Sequence, residues 1–347
     1  MLSCFGIRAR PAQPALAKDQ SDVTASVGVN NVPAAGEGGA DPPNGYEECH
    51  QRVCRLRGSP RLGPVTEESE GSGAVVRPAS RGAYGAAGKP REHAAIMQDT
   101  VSMRPSFCTW VDGSPMHFFA VFDGHGGPVV SVLLKDHMHV ILADELSRAA
   151  AAYRNKQHQG EEAELCAWKG ALRRSFARAD ELGVSGVPAG TIMGSTAVVA
   201  LVVRGRILVA NCGDSRAVLC RAGRAVPLSQ DNKLARPDEL AAAGGVMYHY
   251  DVVPRVQGIL SRSRALGHTV PNPKMTCEPD ITITARSDDD DCLILASNGL
   301  LKGANAPVGK EEEVQCVCAA IRLTNLAINE HSLDDISVVV LDLKVRG

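Results

Sequence analysis

A carboxylate and a histidine follow an apolar run about a third of the way along the chain. The run 118–122 contains no charge and predicts a buried strand. Asp123 stands at the end of that strand, where a side chain can reach a cleft. Gly124 allows the backbone to approach a ligand closely, and its carbonyl could bind a hard cation. His125 titrates near neutral pH and can act as an acid or a base. The alternative is a strand–turn–helix corner with a capping aspartate and a surface histidine.

Other acids and amides end apolar runs beside Gly, Ser or Asn, and all could converge at one end of the fold. These residues are Asp99, Asp214, Asn298 and Asp334. A set of oxygen ligands without cysteines or several histidines suits Mg²⁺ or Mn²⁺. Two such ions activate a water molecule and hold a phosphoryl group. Each residue alone is also a typical turn residue, so the prediction of a two-metal site depends on the set.

The elements that must position these residues form two strand-rich blocks, each followed by helices. The predicted helices cover 129–146, 161–182 and 314–329, and the predicted strands include 106–111, 116–122, 196–203, 206–212, 216–221, 276–284, 292–296 and 336–343. Strands at short, even spacing are typical of antiparallel meanders, and strict strand–helix alternation is absent. We therefore expect an α+β fold in which two antiparallel sheets stack and helices cover their outer faces.

Composition predicts one folded domain behind an extension. Residues 1–85 are rich in Pro, Gly, Ala and Ser and predict a disordered, low-complexity extension, and residues 86–347 form the predicted domain. The net charge of −2, from 37 basic and 39 acidic residues, does not indicate nucleic-acid binding. No apolar run is long enough to cross a membrane. The 11 scattered cysteines suit reduced thiols in the cytoplasm or nucleus. We expect a monomer.

Several motifs occur together in a fixed order over roughly residues 88–343. They include Phe122-Asp123-Gly124-His125-Gly126-Gly127, Gly194-Ser195-Thr196-Ala197, Asn211-Cys212-Gly213-Asp214-Ser215-Arg216, Arg236-Pro237-Asp238-Glu239, Ser263-Arg264-Ala265-Leu266-Gly267, Cys292-Leu293-Ile294-Leu295-Ala296-Ser297 and the stretch 332–342. By these motifs the chain resembles the metal-dependent type 2C (PPM) serine/threonine protein phosphatases of the plant type. The ordered set is far more specific than Asp-Gly-His alone.

The resemblance implies a four-layer αββα sandwich, a two-metal site and a phosphoprotein substrate. Asp123 resembles the carboxylate that bridges both metals, and Gly124 resembles the carbonyl ligand. His125 resembles the general acid that protonates the leaving serine or threonine oxygen. The other implied metal ligands are Asp334, Asp99, the position of Asn298 and, at a weaker third metal site, Asp214.

The chain departs from the family pattern around these residues. Gln98 and Asn298 stand where the family has carboxylates, and both keep only a neutral oxygen. Ala94 replaces an arginine that resembles a phosphate anchor, His268 replaces an aspartate, and Lys302 adds a cation. Because hard cations depend on anionic ligands, we expect two weakly bound Mg²⁺ or Mn²⁺ ions. The chain is then either a phosphatase with weakened activity or an inactive pseudophosphatase that acts as a binding module.

Overall fold

The computed structural model describes most of the predicted domain. The described residues are 75–76, 84–90, 96–155, 160–188, 191–234, 238–239, 247–250, 253–256, 262–268, 275–303 and 316–344. The strands are β1 (Val75–Val76), β2 (Tyr84–Lys89), β3 (Thr100–Thr109), β4 (Pro115–Phe122), β5 (Gly124–His125), β6 (Gly194–Ser195), β7 (Ala197–Val203), β8 (Arg206–Cys212), β9 (Arg216–Arg221), β10 (Arg224–Pro227), β11 (Met247–Tyr250), β12 (Val253–Val256), β13 (Asp280–Ala285), β14 (Asp290–Ala296) and β15 (Ile336–Asp342). The helices are α1 (Val129–Arg154), α2 (Glu161–Gly186), α3 (Asn298–Gly303) and α4 (Cys316–Asn329).

Two antiparallel sheets form the centre of the fold. One has the order β1-β2-β15-β14-β9-β10, and the other has the order β13-β8-β7-β4-β3. The short strands β5 and β6 pair with each other, as do β11 and β12. Stacked antiparallel sheets with flanking helices confirm the predicted α+β sandwich.

The apolar run of β4 supplies both faces of its sheet, which explains why it contains no charge. Successive side chains of a strand point to opposite faces. Phe118 and Phe122 pack with the helices α1 and α2 in one buried cluster. Phe119 and Val121 pack with residues of the opposite sheet in a second cluster. A strand covered on both sides must be apolar throughout, and this holds the residues that follow it in a fixed place.

Helices close the sandwich on both outer faces. Leu134 on α1 and Trp168 on α2 are buried against the β4 side. On the far side, Ala320 and Leu323 of α4 pack over β14 and β15. Within the described residues, no helix combines the length and the hydropathy that are needed to cross a membrane.

The structure differs from the sequence prediction at several boundaries. Strand β2 begins inside the predicted extension, because Tyr84 pairs with Leu341 of β15 and is buried against Phe119. The remainder of the predicted extension up to residue 74 lies outside the described residues. Helices α1 and α2 continue beyond their predicted ends to Arg154 and Gly186. Residues 106–109 belong to the long strand β3 rather than to a separate strand.

Candidate metal and phosphate site

Asp123 lies where β4 ends and is almost completely buried. The backbone is fixed on both sides: its N–H donates to Thr196 Oγ1 at 3.3 Å, and its carbonyl accepts from the Thr196 N–H at 2.9 Å. Thr196 Oγ1 is in turn 2.8 Å from Ser215 Oγ. The strand end is therefore tied to both neighbouring turns, and the carboxylate has little freedom to move.

Gly124 permits a close approach between two segments of backbone. A Cβ atom at this position would lie 2.3 Å from the Gln98 carbonyl oxygen and 3.0 Å from Ser131 Oγ. Any side chain here would push the Gln98 segment away from β5. The requirement for glycine follows from this packing, and the predicted role of its carbonyl as a ligand stays a prediction.

The segment before β3 is held by its backbone. The Gln98 N–H donates to Asp335 Oδ2 at 2.7 Å, and the Gln98 carbonyl accepts from Ser131 Oγ at 2.5 Å. These bonds place the buried Asp99 beside Asp123. Burial, reinforced by the neighbouring carboxylate of Asp123, raises the pKa of Asp99 well above its ordinary value. The Asp99 carboxyl therefore lies in a region that disfavours its negative charge.

Asp214 and Asn298 meet at the ends of the neighbouring strands β9 and β14. Asp214 lies in the turn between β8 and β9, and Asn298 is the first residue of α3. Asn298 Nδ2 donates to Asp214 Oδ2 at 3.2 Å. The amide thus presents its donor to the carboxylate. Asn298 Oδ1 is buried and has no hydrogen-bond partner among the described residues.

Arg262 brings a buried guanidinium into this carboxylate cluster. Its Nε lies 3.3 Å from Asp214 Oδ1, and its Nη1 lies 3.6 Å from Asp123 Oδ1. Only 10% of its side chain is exposed. Burial alone would lower the pKa of Arg262, but the carboxylates of Asp214 and Asp123 raise it above the ordinary value, with a further contribution from Asp334.

Sequence reasoning did not identify Arg262 as a site residue. It stands one position before the recognised stretch Ser263-Arg264-Ala265-Leu266-Gly267, beside Ser261 and Ser263. Nothing in these neighbours indicates burial. The only available signal was a second arginine directly next to a motif that already contains one.

The segment that carries Arg262 is fixed along its length. The Ser263 N–H donates to the Asn232 carbonyl at 3.1 Å, and Leu266 exchanges backbone hydrogen bonds with Ser195. Arg264 pairs with the buried Glu239 at 2.7 Å. The Gly267 N–H donates to Asp180 Oδ1 at 2.7 Å. The position of Arg262 is thus set by the surrounding scaffold.

His125 lies beside His268 at the edge of the cluster. The two ring centroids are 5.8 Å apart, and both ring nitrogens of His125 are buried without a hydrogen-bond partner among the described residues. Burial, with smaller effects of Arg262 and His268, lowers the pKa of His125 to about 3. The imidazole is therefore neutral at pH 7 in this arrangement. The predicted role as a general acid stays a prediction.

The structure brings most of the predicted site residues to one end of the sandwich. Asp99 and Asp123 are neighbours, and Asn298 donates a hydrogen bond to Asp214. The negative charge of Asp334 helps to raise the pKa of Arg262. Asp335, next to Asp334, instead holds the Gln98 backbone. Ala94 and the side chain of Lys302 lie outside the described part of the structure.

The cluster fits a divalent cation in part. Asp99 Oδ2 and Asn298 Oδ1 are buried oxygens with no hydrogen-bond partner in the described ranges, and such oxygens are suitable ligands for a cation. However, no three His, Cys, Asp or Glu side chains of the described residues are grouped as a metal cage. Arg262 stands between Asp123 and Asp214, so these two carboxylates face a guanidinium.

Comparison with known proteins identifies relatives along most of the chain. The family model for protein phosphatase 2C matches residues 87–322. Probable protein phosphatase 2C 37 of Oryza sativa is 42% identical and covers 79% of this chain and 78% of its own. Probable protein phosphatase 2C 24 of Arabidopsis thaliana is 40% identical, with 72% and 75% covered. The crystal structure of serine-threonine phosphatase 2C from Toxoplasma gondii superposes with a TM-score of 0.61 at 17% identity, over 78% of this chain and 98% of its own.

Proposed function

Because the chain belongs to the protein phosphatase 2C family, a family of metal-dependent serine/threonine phosphatases, we propose that it hydrolyses phosphoserine and phosphothreonine in proteins, with weakened activity. The observation that carries the proposal is the burial of Asp99, Asp123 and Asp214 around one end of the sandwich. Such a concentration of carboxylates is costly unless cations neutralise it. The proposed cofactor is Mg²⁺ or Mn²⁺, in two ions.

Each residue has a role in the proposed reaction. Asp123, Asp99, Asp214 and Asp334 would hold the cations, with the Gly124 carbonyl and Asn298 Oδ1 as neutral ligands. When bound, divalent cations supply an activated water nucleophile and polarise the phosphoryl oxygens. His125 lies directly after the Asp123–Gly124 pair, where it would face the leaving serine or threonine oxygen. The scaffold around Thr196 and Ser131 keeps these groups in fixed positions.

The weakened activity has a physical basis in this cluster. Asn298 supplies a neutral oxygen, and its amide nitrogen is directed at Asp214. Gln98 likewise stands at a position where a carboxylate would strengthen cation binding. Losing groups that merely orient metal ligands costs about 10–100-fold in affinity or activity, and losing an anionic ligand should cost at least as much.

A specific observation also favours the second candidate, a pseudophosphatase that binds phosphoproteins without turnover. Arg262 neutralises Asp123 and Asp214, which are two of the carboxylates that the reaction would need for cations. A cluster whose charge is already neutralised can persist without metal. The fold and its partner surfaces would then be kept while catalysis is lost.

A phosphopeptide assay separates the two candidates. Phosphate release from a phosphothreonine peptide is measured with purified protein in millimolar Mn²⁺. For the phosphatase we expect slow turnover that falls by at least about 100-fold in Asp123→Asn, because the central ligand loses its charge. The matched control is Asp288→Asn, an exposed aspartate in the turn before β14, which should leave turnover unchanged. Absence of release, together with binding of the same peptide in calorimetry, would favour the pseudophosphatase.

A further inference from the structure

We propose that Arg262 is an internal counter-ion of the metal site: its guanidinium neutralises Asp123 and Asp214 in place of a divalent cation and competes with metal for them. The inference rests on the location of the site proposed above, but it does not require that the site turns substrate over. Its consequence is that the domain folds without metal and binds metal weakly.

The contacts of Arg262 support this role. Its Nε and Nη1 reach two different aspartates at 3.3 Å and 3.6 Å, so one side chain bridges both. The side chains of Asp214 and Asp123 are only 3% and 7% exposed. Ion pairs that are shielded from water are screened far less by salt than surface pairs. The guanidinium therefore acts on these carboxylates as a resident cation.

The rigidity of the segment makes displacement of the guanidinium difficult. Ser263, Arg264, Leu266 and Gly267 are each anchored to another part of the domain. A guanidinium also stays protonated at any accessible pH, so it cannot be neutralised to admit a metal. A divalent cation at Asp123 or Asp214 would lie beside this positive charge, and the repulsion lowers its affinity.

The charge balance of the cluster also supports Arg262 as its counter-ion. Asp99, Asp123, Asp214 and Asp334 together carry up to four negative charges, and Arg262 is the cation that contacts this group among the described residues. Removing Arg262 takes away the guanidinium charge beside Asp214 and Asp123, which should make the stability of the fold depend more strongly on an added cation. Removing an arginine elsewhere should not create this dependence.

The decisive measurement is Mn²⁺ binding, followed by calorimetry, in the wild type and in Arg262→Met. Methionine keeps an unbranched, flexible side chain but removes the charge. We expect the Kd for Mn²⁺ to become at least about 10-fold lower in the variant. Arg262→Lys retains the charge and should remain close to the wild type. An Arg262→Met variant that binds Mn²⁺ no more tightly than the wild type would overturn the proposal, whatever the result of the phosphatase assay.

Thermal unfolding in chelator and in millimolar Mn²⁺ provides the second measurement. We expect the Tm of Arg262→Met in chelator to fall by about 5–10 °C, and Mn²⁺ to restore it. The matched control is Arg221→Met, which loses a comparable pair with the buried Asp290 on β14. Its Tm should fall without recovery in Mn²⁺.

Three further outcomes of the thermal experiment also decide the question. A variant that folds only when Mn²⁺ is present supports the proposal, because the metal then replaces the lost cation. A variant that folds in neither condition contradicts it. If Mn²⁺ stabilises the wild type as much as Arg262→Met, then metal and guanidinium do not compete, and the proposal is wrong.

Discussion

At the scale of single residues, the charge of the site is set by a few side chains whose neighbours are already fixed. Asn298 shows this most directly. An aspartate at 298 would oppose the carboxylate of Asp214, whereas the amide donates a hydrogen bond to it at 3.2 Å. Asn298 therefore stabilises the carboxylate of Asp214 without adding a further negative charge to the cluster. If the cluster binds metal as we propose, the amide favours stability without metal over affinity for metal.

Restoring the two carboxylates should reverse this balance. In the double variant Asn298→Asp, Gln98→Glu, we expect a lower Tm in chelator, because the new negative charge at position 298 faces Asp214. In millimolar Mn²⁺ we expect phosphopeptide turnover to rise by at least about 10-fold. Asn155→Asp, which adds an exposed charge after α1, is the control and should change neither quantity. Unchanged turnover in the double variant would show that Gln98 and Asn298 do not limit catalysis.

At the scale of elements, the packing of α1 on α2 includes a buried acid. Glu145 is 1% exposed and lies on α1. Arg174 Nε and Arg178 Nη1 of α2 both donate to it, each at 2.7 Å. Two arginines of α2 thus join the helices through this acid. Helix pairing is thereby fixed by charge as well as by apolar contacts.

Removing this charge should loosen the helix pair. We expect Glu145→Gln to lower the free energy of unfolding by about 1–3 kcal/mol, because the guanidinium groups lose their ionised acceptor in a shielded place. Urea denaturation at neutral pH measures the change. Glu162→Gln, at an exposed position in the first turn of α2, is the comparison and should cost less than about 0.5 kcal/mol. Equal changes in the free energy of unfolding for the two variants would show that the charge of Glu145 does not stabilise the helix pair.

The elements that were predictable from sequence are those whose pattern is local. The apolar run before Asp123 and the spacing in 129–146 reflect burial that the residues themselves encode. Strand β2 was missed because Tyr84–Lys89 is composed largely of Gly and Ala, which carry little periodicity. Its strand state depends on pairing with β15, more than two hundred residues away along the chain.

The site divides in the same way. The sequence predicted four residues of the site, because each follows or precedes an apolar strand and the strand ends of stacked sheets converge. These residues are Asp99, Asp123, Asp214 and Asn298. The sequence did not predict Arg262, because this residue is buried by the turns of other segments and not by its neighbours along the chain. The charge state of the site therefore depends on tertiary structure, even where its carboxylates can be predicted from the sequence.

At the scale of the whole molecule, the sandwich has to remain folded while titratable groups lie within it. His139 on α1 is such a group, with its ring centroid 6.1 Å from that of Phe118. Burial, aided by Arg104 and His137, lowers the pKa of His139 to about 4 from its ordinary value of 6.5. The folded state therefore resists protonation of this ring, whereas the unfolded chain does not.

The consequence is a loss of stability in acid that one substitution should reduce. Between about pH 6.5 and pH 4 the unfolded chain binds the proton and the folded protein does not, so the contribution of His139 is complete above that window and declines as the pH falls through it. From pH 7 to pH 5 this amounts to about 2 kcal/mol for a single group.

His139→Gln keeps a polar, uncharged side chain at both pH values. Between pH 7 and pH 5, the free energy of unfolding of this variant should therefore fall by about 2 kcal/mol less than that of the wild type. Urea denaturation at the two pH values gives the difference, and His331→Gln, on the exposed turn after α4, is the control that should follow the wild type. If the His139→Gln variant loses as much stability as the wild type, the acid sensitivity of the fold originates in other groups, and the imidazole of His139 is protonated without penalty.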